Sequence, residues 1–223
     1  MSPPRAVLLD AMGTLVHFEA PAPRLAASLG VPLPDAERAI RAEIGYYRAH
    51  LHHGGDLAGL AAVRLECARI VRETLELDTE IGTVLEALLD AIRFEPYPDT
   101  PPALRALRGA GCALVVVSNW DVSLYEMLER TGLRALVDGA LASAAVGSAK
   151  PDGAIFAQAL ALAGGVDPAD AWHVGDDLEA DLHGARAAGL EGVLIDRDGV
   201  AEHSGVRRIR SLAELPGLLG ITI

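Results

Sequence analysis

The amino-acid sequence predicts an α/β fold, a doubly wound and mostly parallel sheet core interrupted near its start by a helical insert. Three observations carry this. Four short apolar runs, Ala6 to Asp10, Cys112 to Ser118, Ala171 to Val174 and Gly192 to Asp196, have the length and composition of strands buried on both faces. Helical patterns of about 10 to 12 residues separate the later runs, the alternation that builds a parallel sheet. Between His17 and Glu95 the pattern changes: no strand is expected there, and helical stretches follow one another.

The first run, Ala6-Val7-Leu8-Leu9, delivers Asp10 into the turn Ala11-Met12-Gly13-Thr14-Leu15. The insert contains helical stretches near Arg24 to Leu29, Asp35 to His50, Leu57 to Leu75 and Thr79 to Ile92. Breaks at Pro32-Leu33-Pro34, Gly54-Gly55 and Leu77-Asp78 set its turns. Glu95-Pro96-Tyr97-Pro98-Asp99 marks the return to the core. Thr100 to Ala110 opens with Pro101 and Pro102 and closes at Gly111, the asymmetry of a helix with proline in its first turn and glycine beyond its end. Asp152 to Ala163 follows Pro151 and stops at Gly164-Gly165, Glu179 to Ala188 stops at Gly189, and the tail from Arg207 to Ile223 reads as structural. The domains expected are therefore a Rossmann-like core from 1 to 16 and 96 to 223, with a helical cap from 17 to 95.

Composition narrows the class. Hydrophobic residues make up 51% of the 223 residues and aromatics 4%, so the core must be built from Ala, Leu and Val. The net charge of −12 argues against a nucleic-acid surface, which needs clustered Lys and Arg. No apolar run approaches the length of about 20 residues that spans a membrane. Cys67 and Cys112 sit in apolar segments without metal-type spacing and are expected to be buried, reduced thiols. With Met1-Ser2-Pro3-Pro4-Arg5 running straight into the first strand, no signal peptide is expected and a cytoplasmic location follows. Either a monomer or a homodimer fits.

The strand ends carry a coherent set of polar groups: Asp10, Ser118-Asn119, Lys150 before a helix, and Asp176-Asp177 after Val174-Gly175. Ligands of such sheets gather at the C-terminal strand edge. Together these residues supply a carboxylate nucleophile, donors for an anion, a cation, and further carboxylates for a hard divalent ion. That set suits phosphoryl transfer, which depends on positioning and charge neutralisation. Singly, each Asp has the plainer reading of a helix cap or turn former.

In order, the segments Asp10-Ala-Met-Gly-Thr14-Leu, Val-Val-Val-Ser118-Asn119, Lys150-Pro-Asp and His-Val-Gly175-Asp176-Asp177-Leu-Glu-Ala-Asp181 resemble the four motifs of the haloacid dehalogenase superfamily, in its branch with a helical cap after the first motif. The resemblance covers essentially the whole chain. It implies a hydrolase in which Asp10 forms a covalent intermediate, Thr14, Ser118 and Asn119 orient phosphoryl oxygens, and Lys150 neutralises charge. It also implies Mg2+ held by Asp10, Asp176 and the backbone carbonyl of Met12, with Asp177 or Asp181 in the outer sphere. The substrate implied is a small phosphorylated metabolite.

One position departs from the pattern. Where phosphatases of this family usually carry an aspartate that protonates the leaving oxygen, this chain has Met12. A general acid contributes about 10²- to 10⁴-fold, roughly 3 to 5 kcal/mol of barrier. Its loss should weigh most on basic alkoxide leaving groups and least on phosphoanhydrides, acyl phosphates and aryl phosphates. His17, at the core-to-cap junction, is a candidate replacement acid, set against an inert hinge histidine.

The rival activity is 2-haloacid dehalogenation, which needs neither that acid nor a metal; Arg38 and Arg41 stand where dehalogenases carry an arginine, although a solvated helix face explains them as well. Against it, dehalogenases resemble Ser-Ser-Asn where this chain has Gly175-Asp176-Asp177, and extra carboxylates beside Asp10 would repel a carboxylate substrate. A binding protein descended from a phosphatase is the non-enzymatic alternative. His50, His52 and His53 read as surface histidines rather than a metal site. Trp120 and Asp121 either line the substrate pocket, or pack and cap locally.

Overall fold

The computed structural model describes residues 3–199 and 205–221. Residues 1, 2, 222 and 223, the extremes of the expected core and tail, lie outside the described residues.

The chain begins with β1 (Ala6–Leu9), the short strand β2 (Val16–Phe18), and then the insert helices α1 (Ala22–Leu29), α2 (Leu33–His50), α3 (Leu57–Thr74) and α4 (Ile81–Ala91). It returns through β3 (Phe94–Pro96) to α5 (Thr100–Gly109), β4 (Ala113–Ser118), α6 (Ser123–Arg130), β5 (Gly139–Ala142), the single turn α7 (Ser143–Val146) and α8 (Gly153–Leu162). There follow β6 (Ala171–Gly175), a π-helical stretch Leu178–His183 continuing into α9 (Gly184–Ala187), β7 (Glu191–Ile195), β8 (Arg208–Ile209) and α10 (Leu215–Leu218). The six core strands form one parallel sheet in the order β5-β4-β1-β6-β7-β8. The chain winds outward from β1 through β4 to β5, then crosses back to β6 on the other side of β1. That reversal opens a crevice at the C-terminal ends of β1, β4 and β6.

Period-two alternation explains why these strands are apolar throughout. On β1, Val7 and Leu9 enter the apolar layer that holds Leu104, Leu107 and Leu128, while Ala6 and Leu8 enter the opposite layer with Phe156 and Leu160. β4 splits in the same way, with Leu114 and Val116 on one side and Val115 and Val117 on the other. Each fully buried Leu contributes about 1.5–3 kcal/mol relative to exposure, so a polar residue on either face would be costly. Thr100 at the start of α5 is fully buried, and its hydroxyl donates to the carbonyl of Leu15 at 2.8 Å, tying that helix to the turn after β1.

The insert has its own core, built from Leu25 on α1, Ile40 on α2, Val63 and Val71 on α3, and Val84 and Leu88 on α4. Asp56 caps α3 by accepting from the Gly59 N–H at 2.7 Å.

The structure corrects the sequence reading in three places. The junction between core and insert is not strand-free: β2 and β3 pair antiparallel, Val16 with Pro96 and Phe18 with Phe94. Both are three residues long, too short to show alternation. β5 and β8 were not expected either; β5 reads Gly-Ala-Leu-Ala, without a β-branched residue, and β8 has only two residues, too few to show a pattern. The helix expected from Glu179 to Ala188 begins as the π-helical stretch, whose wider turn leaves Asp181 buried against the site.

Candidate active site

Asp10 follows β1 directly and its N–H donates to Val174 O on β6 at 2.9 Å, so the strand ladder fixes its backbone. Ser118 ends β4, and its hydroxyl donates to Asp10 Oδ1 at 3.0 Å. Lys150 reaches in from the loop after α7. Its Nζ donates to Asp10 Oδ1 at 2.6 Å and to Asp181 Oδ1 at 2.5 Å, with all three side chains buried. Both donors to Asp10 converge on Oδ1, so Oδ2 makes no hydrogen bond with the described residues.

Asp181 is held on every side. Besides Lys150, His173 Nε2 lies 2.8 Å from its Oδ1, and the Asp177 N–H donates to its Oδ2 at 3.0 Å. Gly175 makes this approach possible: a Cβ there would collide with the Asp181 carboxyl.

The electrostatics divide the carboxylates by partner. Burial raises the Asp10 carboxyl, and Lys150 opposes that without cancelling it. Burial and the charges of Asp10 and Asp181 push Asp176 up to about 7. Asp181 goes the other way: burial opposes its charge, but Lys150 and His173 hold it well below the usual carboxylate range. For Lys150, burial is outweighed by Asp10 and Asp181, which raise it and keep it charged.

This arrangement fits a divalent cation. Oxygens of Asp10, Asp176 and Asp181 lie within 4.8 Å of one another. Asp181 is engaged by Lys150, His173 and the Asp177 N–H, whereas Asp176 has no cation of its own among the described residues, and burial together with the charges of Asp10 and Asp181 raises it. Gly13, at φ 74°, lets the turn after Asp10 pass so close to Asp176 that a Cβ would strike its carboxylate. Thr14 Oγ1 is fully buried and has no hydrogen-bond partner among the described residues.

Several sequence expectations change. Asn119, expected on a phosphoryl oxygen, instead binds the Lys150 backbone at both ends: Oδ1 accepts from the Lys150 N–H at 2.8 Å and Nδ2 donates to its carbonyl at 2.9 Å. Of the two outer-sphere candidates, Asp181 belongs to the compact acidic cluster, while Asp177 Oδ1 caps the π-helical stretch by accepting from the N–H groups of Glu179 and Ala180. His17 sits on β2 with its ring 5.2 Å from that of Tyr97, and does not line the cavity beside Met12. Arg38 bonds Asp35 and the carbonyl of Thr74 on the exposed face of α2, and Arg41 is exposed; neither reaches the site. His50 stacks on Tyr46 with ring centroids 4.0 Å apart, and the three nearby histidines make no metal cluster among the described residues. Trp120 and Asp121 pack and cap locally and also border a cavity. Trp120 packs edge-on to Phe94 at 4.9 Å, Asp121 Oδ1 accepts from the Ser123 N–H at 2.7 Å, and both line the cavity between insert and core.

Two positioning residues had no assigned role in the sequence reading. His173 is fully buried in a central strand, and a lone polar residue in such a run is itself a signal that a partner exists. Arg197 had no local signal. Its guanidinium donates to the carbonyls of Gly13 and Thr14 at 3.1 and 2.6 Å, pairs with Asp99 at 3.0 Å and lies 3.5 Å from the Tyr97 ring centroid, clamping the turn that follows Asp10.

The site thus sets a buried carboxylate paired with lysine at the switch point of a parallel sheet, beside a second acid. The family model described as haloacid dehalogenase-like hydrolase matches residues 4–189, and the chain belongs to that family. A phosphatase of Mycobacterium tuberculosis (strain CDC 1551 / Oshkosh), MT3486, is 31% identical over 94% of this chain and 95% of its own length. The haloacid dehalogenase-like hydrolase domain-containing protein 3 of Bos taurus is 47% identical, but over 41% of this chain and 36% of its own. Among solved structures, a phosphatase of the family from Thermococcus onnurineus matches with a TM-score of 0.67 at 28% identity, covering 97% of this chain and 98% of that one. The L-2-haloacid dehalogenase RSc1362 matches with a TM-score of 0.72 at 23% identity over 98% of this chain and 99% of that one, a likeness of fold alone.

Proposed function

We propose that this hydrolase is a Mg2+-dependent phosphatase of a small phosphorylated metabolite, working through a covalent phosphoryl-aspartate on Asp10. The observation that carries the reading is the approach of carboxylate oxygens of Asp10, Asp176 and Asp181 to within 4.8 Å of one another, while the single Lys150 is shared between Asp10 and Asp181. A 2-haloacid would bring its own carboxylate into that excess of negative charge.

Asp10, Asp176 and the backbone carbonyl of Met12 are the groups that would hold Mg2+, which when bound neutralises charge between nucleophile and phosphoryl group. Ser118 and Lys150 fix Asp10 through Oδ1, which leaves Oδ2 to attack phosphorus. The bond from phosphorus to the leaving oxygen breaks, and that oxygen departs with its electron pair. The Thr14 hydroxyl donates to a phosphoryl oxygen. Water then attacks phosphorus, the bond to Asp10 breaks, a proton passes to solvent, and inorganic phosphate and the free carboxylate result. The helical insert covers the crevice as a cap, with the core contributed by the segments on either side of it.

Met12 supplies no proton, so the reading favours leaving groups that depart as weak bases. Acetyl phosphate, an aryl phosphate, an alkyl phosphate and 2-chloropropionate, assayed with Mg2+ and with chelator, test it. Phosphate release from the first two only when Mg2+ is present is expected, and Met12→Asp should raise alkyl-phosphate turnover by about 10²-fold. Halide release that persists in chelator would overturn the assignment.

A further inference from the structure

The insert and the core enclose a cavity of about 740 Å³ whose lining reaches Met12, two residues after Asp10, and Asn119, next to Ser118. This is the size that takes a metabolite-sized group, within the range of about 300–1,000 Å³ for small-molecule sites. Met12, Phe18, Phe94, Trp120 and Leu88 give it largely apolar walls.

The charged groups of its buried wall are acids. Glu43, on α2, is 6% exposed and lines the cavity near Tyr47 and Cys67, and its one described hydrogen-bonding neighbour is the Cys67 thiol. Tyr47, one turn further along α2, donates its hydroxyl to Asp121 Oδ2 at 2.8 Å, which leaves the phenolic oxygen as an acceptor. Asp121 is itself 1% exposed. The cavity's arginines lie towards solvent: Arg48, Arg93 and Arg130 are exposed, and Arg64 and Arg130 are drawn to Glu126 at 3.7 and 3.5 Å. The buried wall therefore presents two acids and an acceptor oxygen but no cation. Burial raises the Glu43 carboxyl, as expected of an acid with no positive neighbour.

We propose that Glu43 is the specificity determinant of this cavity, selecting a phosphate ester whose organic part is an apolar ring or chain ending in a hydrogen-bond donor or amine, and rejecting one that ends in a carboxylate. This rests on the phosphatase reading for where the phosphoryl group sits. The phosphate lies at Asp10, the body of the leaving group passes along Met12 and Trp120, and its far end meets Glu43. An incoming donor satisfies a buried carboxyl that the protein leaves nearly alone, whereas an incoming carboxylate adds a third buried acid without compensation.

Three aryl phosphates separate these outcomes, because they share one phenolic leaving group and differ only at the para end: the phosphates of tyramine, 4-ethylphenol and 3-(4-hydroxyphenyl)propionate. With Mg2+, kcat/KM for the tyramine ester should exceed that for the propionate ester by about tenfold or more. Glu43→Gln should bring that ratio close to one, with the melting temperature reporting whether the variant is folded. A wild-type ratio near or below one overturns the proposal without recourse to any variant, and so does a ratio that Glu43→Gln leaves intact. Calorimetric binding of the three free phenols is the arm independent of chemistry. If the amine preference appears there and is lost in Glu43→Gln while no phosphate ester turns over, the phosphatase reading fails and the specificity pocket stands. If the phenols show no preference, the pocket assignment fails.

Discussion

The side-chain amide of Asn119 holds the backbone of Lys150 by both of its ends, accepting from the N–H at 2.8 Å and donating to the carbonyl at 2.9 Å. A residue one position beyond the end of β4 thus fixes a loop thirty-one positions later in the chain, and through it the ammonium group that faces Asp10. The amide acts on Asp10 at second hand, through the lysine it places.

Asn119→Ala should lower kcat for acetyl phosphate by about tenfold to a hundredfold, since misplacing a buried charge by about 1 Å can cost 10²-fold. KM should change less than kcat, because the amide touches Lys150 rather than the ligand. A variant that raised KM alone would return Asn119 to the substrate.

Asp181→Asn leaves Lys150 with one carboxylate instead of two. Removing one member of a buried charge network costs about 3–5 kcal/mol, so denaturant unfolding should show a loss of that order. A loss below about 1 kcal/mol would mean that Asp10 alone satisfies the lysine.

Gly13→Ala should act on the cation. The new Cβ would strike the Asp176 carboxylate, at a position whose φ of 74° already disfavours any side chain. The Mg2+ concentration for half-maximal activity should rise by about tenfold or more, while the circular dichroism spectrum stays that of the wild type. Unchanged Mg2+ dependence would show that Asp176 moves aside without consequence.

Asp176 also sets a pH dependence. Its carboxyl is raised in the folded state from 3.8 to about 7, so between these values the folded protein holds a proton that the unfolded chain has released. This contribution to stability is complete below about pH 4 and is lost as pH rises through about 7. In chelator, the melting temperature of wild type should therefore fall across that window relative to Asp176→Asn. Mg2+ should remove the difference, because it favours the ionised carboxylate. A wild type that tracked Asp176→Asn in chelator would show that the crowding is relieved by other means.

Much of the core was legible because buried parallel strands declare themselves in composition. Ala6-Val7-Leu8-Leu9 and Leu114-Val115-Val116-Val117 feed both faces of the sheet at once, so each reads as a continuous apolar run of strand length. The edge and junction strands were not legible, since β2, β3 and β8 are held by pairing partners distant in the chain rather than by their own residues. The acids of the site announced themselves as polar residues at apolar strand ends; what each one touches did not follow.

The sequence by itself determined the fold class, the family resemblance and the convergence of Asp10, Ser118, Lys150 and Asp176 on one edge of the sheet, because local periodicity and chain order suffice for these. Tertiary structure alone decided that Asn119 serves Lys150, that Asp177 is a cap, that Asp181 anchors the lysine, that Arg197 clamps the turn after Asp10, and that Glu43 faces the same cavity as Met12. Those assignments depend on which donor meets which acceptor across tens of residues. Hydrogen bonds and ion pairs reach only about 3 Å, and nothing in the spacing of residues along a chain encodes a distance of that size between its separate turns.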